Sequence, residues 1–189
     1  MTLDEDCTKA VEKALGIPGL ISREDMEFLY KLACCKGNIV ELGCYLGRST
    51  AVLLQAAAVW KAQLTSIDIF NPFEVTPQGS AEAWSENLAG LGLEPPSLLQ
   101  MSTDEAAMIY GDEISFLFID ADHSKAAVAQ DLTNWTPKVK VGGIVALHDM
   151  WLHHRTGVAQ ATVEWWSRQG GNWRFMEQYG LTIAFRRAA

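Results

Sequence analysis

A chain of 189 residues with 49 % hydrophobic and 20 % charged residues has ordinary globular composition and length for one well-cored domain, which excludes disordered, collagen-like and coiled-coil classes. A net charge of −8, with Lys and Arg occurring singly or in pairs such as Arg186 and Arg187, leaves no surface to neutralise phosphates and argues against nucleic acid as a partner. Residues Met1 to Asp6 are acidic where a secretory leader is basic, and no apolar run nears the ~20 residues that span a bilayer, so a cytoplasmic protein without a membrane partner is expected.

Two amphipathic helices open the chain, "DEDCTKAVEKAL" and "SREDMEFLYKLACC", joined by "LGIPGLI"; Ser22 is the expected N-cap of the second, with Asp25 three positions later. From Asn38 short apolar runs alternate with helical segments: "NIVELG", 48–60, "AQLTSIDIF", 79–91, "SLLQM", 103–109, "ISFLFID", 124–135, "GGIVALHD" and 158–168. Five strand–helix alternations predict a parallel sheet covered on both faces. The tail differs, because "NWRFMEQ" and "LTIAFRR" are separated only by Tyr179 and Gly180, which predicts an antiparallel hairpin at one edge. The stretch 70–80 reads as a loop at a strand end, where such sheets carry their sites. Residues 1–189 are expected to form one domain, with the helices before residue 36 shaping a substrate pocket or an interface. Cys7, Cys34, Cys35 and Cys44 form no zinc or disulfide spacing and read as reduced thiols, Cys44 as a small packing residue.

"VELGCYLGRST", residues 40–50, ends a buried strand in an acid and then supplies Gly43, Gly47, Ser49 and Thr50 at a helix start. Glycines let backbone approach a ligand, and free amides at a helix start attract an anion. A phosphate-binding loop needs one more residue between the glycines and Lys in place of Arg48, and a dinucleotide fingerprint needs a third glycine, so neither applies. The next strand ends in Asp68, 27 residues after Glu41, and such an acid can accept from both hydroxyls of a ribose. The two features in register point to a nucleoside-containing cofactor.

"ELGCYLGRST", "SIDIF", "FLFIDADHS" and "KVGGIVALHD" together resemble the successive motifs of class I S-adenosylmethionine-dependent methyltransferases over residues 38–150, most nearly the small-molecule O-methyltransferases of the family 24 type. The resemblance implies an α/β, Rossmann-like doubly wound sheet of seven strands in the order 3-2-1-4-5-7-6, with strand 7 antiparallel. It implies a cofactor site of Glu41, Gly43, Tyr45, Gly47, Ser49, Asp68, Ile69, Ser102 and Asp120, with Glu41 and Gly43 at the methionine part, Asp68 at the ribose and Ser102 near adenine. Ser102 also reads as the cap of a helix with Glu105, and Ile69 with Phe70 either sandwiches adenine or belongs to the core.

The same resemblance implies a divalent metal, Mg, Mn or Fe, held at the tips of the fourth and fifth strands by Asp120 and Asp149. The usual third ligand is absent: Met150 stands where the catechol-type pattern has Asn, and His148 where the sugar-type pattern has an acid. His148 is either a third ligand favouring a transition metal or a buried imidazole satisfied by backbone. His123, three residues beyond Asp120, matches the general base of the sugar-type enzymes, and an imidazole titrating near ~6.5 suits that task. Asp122 reads as a helix-capping or orienting acid. Trp151, His153, His154 and Arg155 form either a lid over substrate or a solvated loop. The expected activity is methylation of a hydroxyl on a small molecule, in a pocket that is open or completed by a second subunit. The alternatives are a metal-dependent hydroxylase-like protein, a non-catalytic S-adenosylmethionine-binding relative and, disfavoured by its missing glycine, an NAD(P)-dependent oxidoreductase.

Overall fold

The computed structural model describes residues 2–70, 79–151 and 156–189; residues 71–78 of the expected 70–80 loop, His153, His154 and Arg155 lie outside the described residues. Two helices begin the chain, α1 (Leu3–Ala14) and α2 (Arg23–Leu32). Thr2 and Glu5 form a capping box on α1, and the Ser22 hydroxyl accepts from the Asp25 amide on α2. Each satisfies amides that the first helical turn leaves unpaired. There follow β1 (Asn38–Leu42), α3 (Arg48–Trp60), β2 (Gln63–Ile67), α4 (Ala81–Gly90), β3 (Ser97–Leu99), α5 (Thr103–Ile109), β4 (Ile114–Ile119), α6 (Lys125–Trp135), β5 (Val139–Leu147), α7 (Thr156–Ser167), β6 (Trp173–Tyr179) and β7 (Thr182–Arg187).

The seven strands form one sheet in the order β3-β2-β1-β4-β5-β7-β6, parallel from β3 to β5, with β7 antiparallel to both β5 and β6. Alternation along the strands divides the core into two layers. Ile39, Phe116, Phe118, Ala146 and Ala184 pack with α1, α2, α3 and the Trp84 and Leu88 side chains of α4. Val40, Leu42, Leu117, Ile119, Val145, Leu147 and Phe185 pack with α5, α6 and α7. Because the side-chain period is two, a slip of one residue would exchange the layers, and each fully buried Leu, Ile or Phe contributes ~1.5–3 kcal/mol against it.

Strand boundaries differ from the sequence expectation at both ends. The fifth strand begins at Val139, not Gly142, because Val139 pairs with Ile114 before an irregularity carries the register to Phe116 opposite Ile144. Strands β2, β4 and β5 stop at Ile67, Ile119 and Leu147, so Asp68, Asp120 and His148 are each the first residue beyond a strand. The amides of Asp68, Asp120 and His148 still reach neighbouring-strand carbonyls, and past them the Asp68 and Asp122 carboxylates accept from loop amides.

Candidate active site

Register alone brings the ionisable residues together. Leu42 is level with Ile67 and Ile119, and Ile119 with Leu147, so Gly43, Asp68, Asp120 and His148 follow in one row at the carboxyl edge of the sheet. Adjacent strands lie ~4.8 Å apart, within reach of short side chains. Among the described residues, four non-glycine residues have positive φ, and three of them, Tyr45, Phe70 and Asp149, lie along this edge. Backbone held in that region costs ~1–3 kcal/mol and persists only where surrounding contacts over-determine it.

At the glycine loop, Gly43 has φ +82°, and a Cβ there would stand 2.2 Å from the Asp120 carbonyl oxygen, so only glycine lets the loop close on the end of β4. Glu41 is completely buried, with hydroxyl donors from Ser49 at 2.6 Å, Thr50 at 2.7 Å and Ser66 at 2.7 Å. Burial pushes its carboxyl up to about 7 against the opposing pull of those three donors. The Glu41 carboxyl ties the loop, α3 and β2 together from beneath. Gly47 caps α3 at φ +95°, and Trp84 Nε1 donates to Thr50 at 3.1 Å.

Asp68 accepts from the amides of Cys44 at 2.8 Å, Tyr45 at 2.9 Å and Phe70 at 2.7 Å. A carboxylate offers about four acceptor sites, so these contacts leave roughly one for a ribose hydroxyl rather than two. Ile69 beside it is 57 % exposed, whereas Phe70 belongs to the core. Ser102 caps α5 in a box with Glu105, which occupies its hydroxyl as a helix cap. Burial holds the Cys44 thiol well above its ordinary range, consistent with a packing role.

Beyond β4 and β5 the groups are ionisable. His123 Nε2 lies 2.9 Å from Asp149 Oδ2 and 3.4 Å from Asp120 Oδ1; His148 Nδ1 lies 3.3 Å from Asp120 Oδ1 and 3.2 Å from Asp149 Oδ1. Asp120, His123 and Asp149 each offer one ligand atom within 4.8 Å of the others. Burial disfavours the His148 imidazolium, but Asp120 and then Asp25 and Asp149 outweigh it and lift the group to about 10. Burial likewise opposes the charge on Asp120, yet His148 and His123 hold its carboxyl below the usual range. A cavity of about 10 Å³ lined by Asp120, His123 and His148 has room for roughly one water molecule. Asp122 accepts from the Ser124 amide at 2.6 Å and so orients the start of α6. Trp151 is 55 % exposed at the edge of this cluster.

One participant escaped sequence reasoning. Asp25, only 1 % exposed, reaches from α2 to place its Oδ2 3.6 Å from His148 Nε2. Its signal was present: Asp25 shares the helical stripe of Phe28, Leu29 and Leu32, where an acid is out of place unless partnered.

Residues 40–150 match a family model described as a methyltransferase domain, type 24. The chain belongs to this family of S-adenosylmethionine-dependent methyltransferases. The methyltransferase also shares its fold with solved structures at low identity. The SAH-bound methyltransferase PaMTH1 of Podospora anserina aligns with a TM-score of 0.68 at 14 % identity, over 98 % of this chain and 88 % of its own. CalS11, a TDP-rhamnose 3'-O-methyltransferase of calicheamicin biosynthesis, aligns at 0.64 and 18 % over 86 % and 77 %. An rRNA methylase from Streptococcus thermophilus aligns at 0.62 and 15 % over 90 % and 100 %. No helix among the described residues is long and apolar enough to cross a membrane.

Proposed function

We propose that this methyltransferase methylates a hydroxyl of a small molecule with the help of a divalent metal, and that residues 1–189 act as one catalytic unit. The observation that carries the reading is the convergence of Asp120, Asp149 and His123 within hydrogen-bonding reach at the strand edge beside the glycine loop. The donor set fits a cation, since two carboxylates and imidazole nitrogens converge at one strand edge, and a bound divalent ion would take the place of the imidazole proton between them. Net charge −8 favours a small acceptor over RNA, despite the shared fold with an rRNA methylase.

When bound, S-adenosylmethionine would supply a methyl group on a sulfonium, and a divalent ion held by Asp120 and Asp149 would polarise the acceptor oxygen and lower its pKa. Gly43, Tyr45, Gly47 and Ser49 shape the loop against the methionine part, Asp68 accepts from a ribose hydroxyl, and the exposed Ile69 side chain covers the base. Asp120 and Asp149 hold the ion. His123 takes the acceptor's proton as the oxygen–carbon bond forms and the sulfur–carbon bond breaks, leaving a methyl ether and S-adenosylhomocysteine. Asp149, 2.9 Å from His123 Nε2, orients that imidazole and stabilises its protonated form.

Calorimetric titration with S-adenosylhomocysteine tests the cofactor half: wild type and His123→Ala bind alike and Asp68→Ala binds about 100-fold more weakly, while absence of binding by wild type rejects the proposal. Labelled methyl transfer to hydroxylated metabolites, lost with EDTA and restored by Mn²⁺ or Mg²⁺, tests the acceptor and the metal.

A further inference from the structure

Asp25 belongs to no strand tip, yet its carboxylate is fully committed. Its Oδ1 accepts from the Leu181 amide at 2.9 Å and the Thr182 hydroxyl at 2.7 Å, and its Oδ2 from the Ser22 hydroxyl at 2.5 Å. Gly180, at φ +58° in the turn between β6 and β7, leaves the space for it: a Cβ there would stand 2.7 Å from Asp25 Oδ1. The start of α2 and the β6–β7 turn, far apart in sequence, therefore fix a carboxylate behind the Nε2 edge of His148.

The opposite edge of that ring faces the two metal-side carboxylates at 3.3 and 3.2 Å. His148 is 5 % exposed, and neither ring nitrogen makes a hydrogen bond of good geometry. Ligands bound ~2.1 Å from one first-row ion stand ~3 Å apart when adjacent, close to these separations. A ligating histidine commonly presents its second nitrogen to a carboxylate, which sets the tautomer and the ring orientation.

We propose that Asp25 is a positioning residue that turns His148 Nδ1 toward Asp120 and Asp149, making this imidazole the third protein ligand of a divalent transition metal. The inference rests on the reading of Asp120 and Asp149 as metal ligands. It assigns the place left open by Met150 to a nitrogen donor, and nitrogen shifts preference from Mg²⁺ toward Mn²⁺, Fe²⁺ or Zn²⁺. It also makes the N-terminal helices part of the metal site, through one carboxylate.

The test is Mn²⁺ and Mg²⁺ binding to the full chain loaded with S-adenosylhomocysteine, with pulsed electron paramagnetic resonance of the bound Mn²⁺. Wild type is expected to bind Mn²⁺ at least about tenfold more tightly than Mg²⁺, with an imidazole-nitrogen modulation. His148→Asp loses the modulation and brings the two affinities together. Asp25→Asn weakens Mn²⁺ by about 10- to 100-fold and lowers the Mn²⁺/Mg²⁺ affinity ratio, whereas a merely structural role would weaken both ions alike. The proposal is overturned by a wild-type spectrum without imidazole nitrogen, by a modulation that vanishes only in His123→Ala, or by an unchanged ratio in Asp25→Asn. If S-adenosylhomocysteine binds but Mn²⁺ does not, His148 is itself the cation that neutralises the carboxylates, and this inference fails while the methyltransferase reading stands; loss of S-adenosylhomocysteine binding defeats that reading instead. Where His148→Asp does not fold, a modulation that persists in His123→Ala assigns the nitrogen to His148, and one that vanishes there overturns the proposal.

Discussion

The two halves of the strand edge bury carboxylates in opposite ways. Glu41, beneath the glycine loop, is surrounded by neutral hydroxyls of Ser49, Thr50 and Ser66, and burial keeps its carboxyl up at about 7. Asp25 and Asp120, around His148, face imidazole and stay ionised although burial opposes it. The difference teaches that burial alone does not set the charge of an acid; the charge of its partners does. One half is a neutral brace for a loop, and the other is a concentration of charge suited to chemistry.

The contrast can be broken most severely at His123. His123→Ala is expected to lower kcat by about 10²- to 10⁴-fold with S-adenosylhomocysteine affinity unchanged, as read by single-turnover methyl transfer beside calorimetry; a parallel loss of cofactor affinity would join the two halves into one. Asp68→Ala removes an acceptor from three loop amides and one from the cofactor, for about 3 kcal/mol in S-adenosylhomocysteine binding. Its melting temperature should fall as well, because those amides lose their partner in the free protein.

Glu41→Gln sharpens the neutral half. The folded carboxyl titrates at about 7 and its ordinary value is 4.5, so the fold favours the protonated form. Its contribution is therefore full below pH 4.5 and is lost as pH rises through 7, a decline of roughly 3 kcal/mol. Urea unfolding of wild type between pH 4.5 and 8 should show this loss, and the Gln variant should lack that component; equal slopes would mean that Glu41 is ionised within the fold. The smallest effect is expected from Trp84→Phe, which removes the indole donor to Thr50 and costs about 1 kcal/mol of stability without altering methyl transfer.

Much of this edge was legible before any coordinates. Strand–helix alternation and the Tyr179–Gly180 break foretold a parallel sheet with an antiparallel hairpin at its edge, because periodicity reports which faces are buried, while the strand order came from the family resemblance. "ELGCYLGRST" and "FLFIDADHS" marked the loop and the tip, and Ser22 and Ser102 declared their helix caps. Less legible was the use of each acid. Glu41 and Asp68 look alike as strand-end carboxylates, yet one is sealed under the loop and the other gives three of its acceptor sites to loop amides.

The sequence by itself determined which residues stand at the carboxyl ends of the strands, because local patterning sets where each strand stops and how its faces alternate. Only the tertiary structure decided which of them carry charge and which serve as supports, since that depends on partners brought from afar. Asp25 meets Thr182 across 157 positions of chain, and no local pattern encodes a contact that exists only once α2 and the final hairpin have closed around His148.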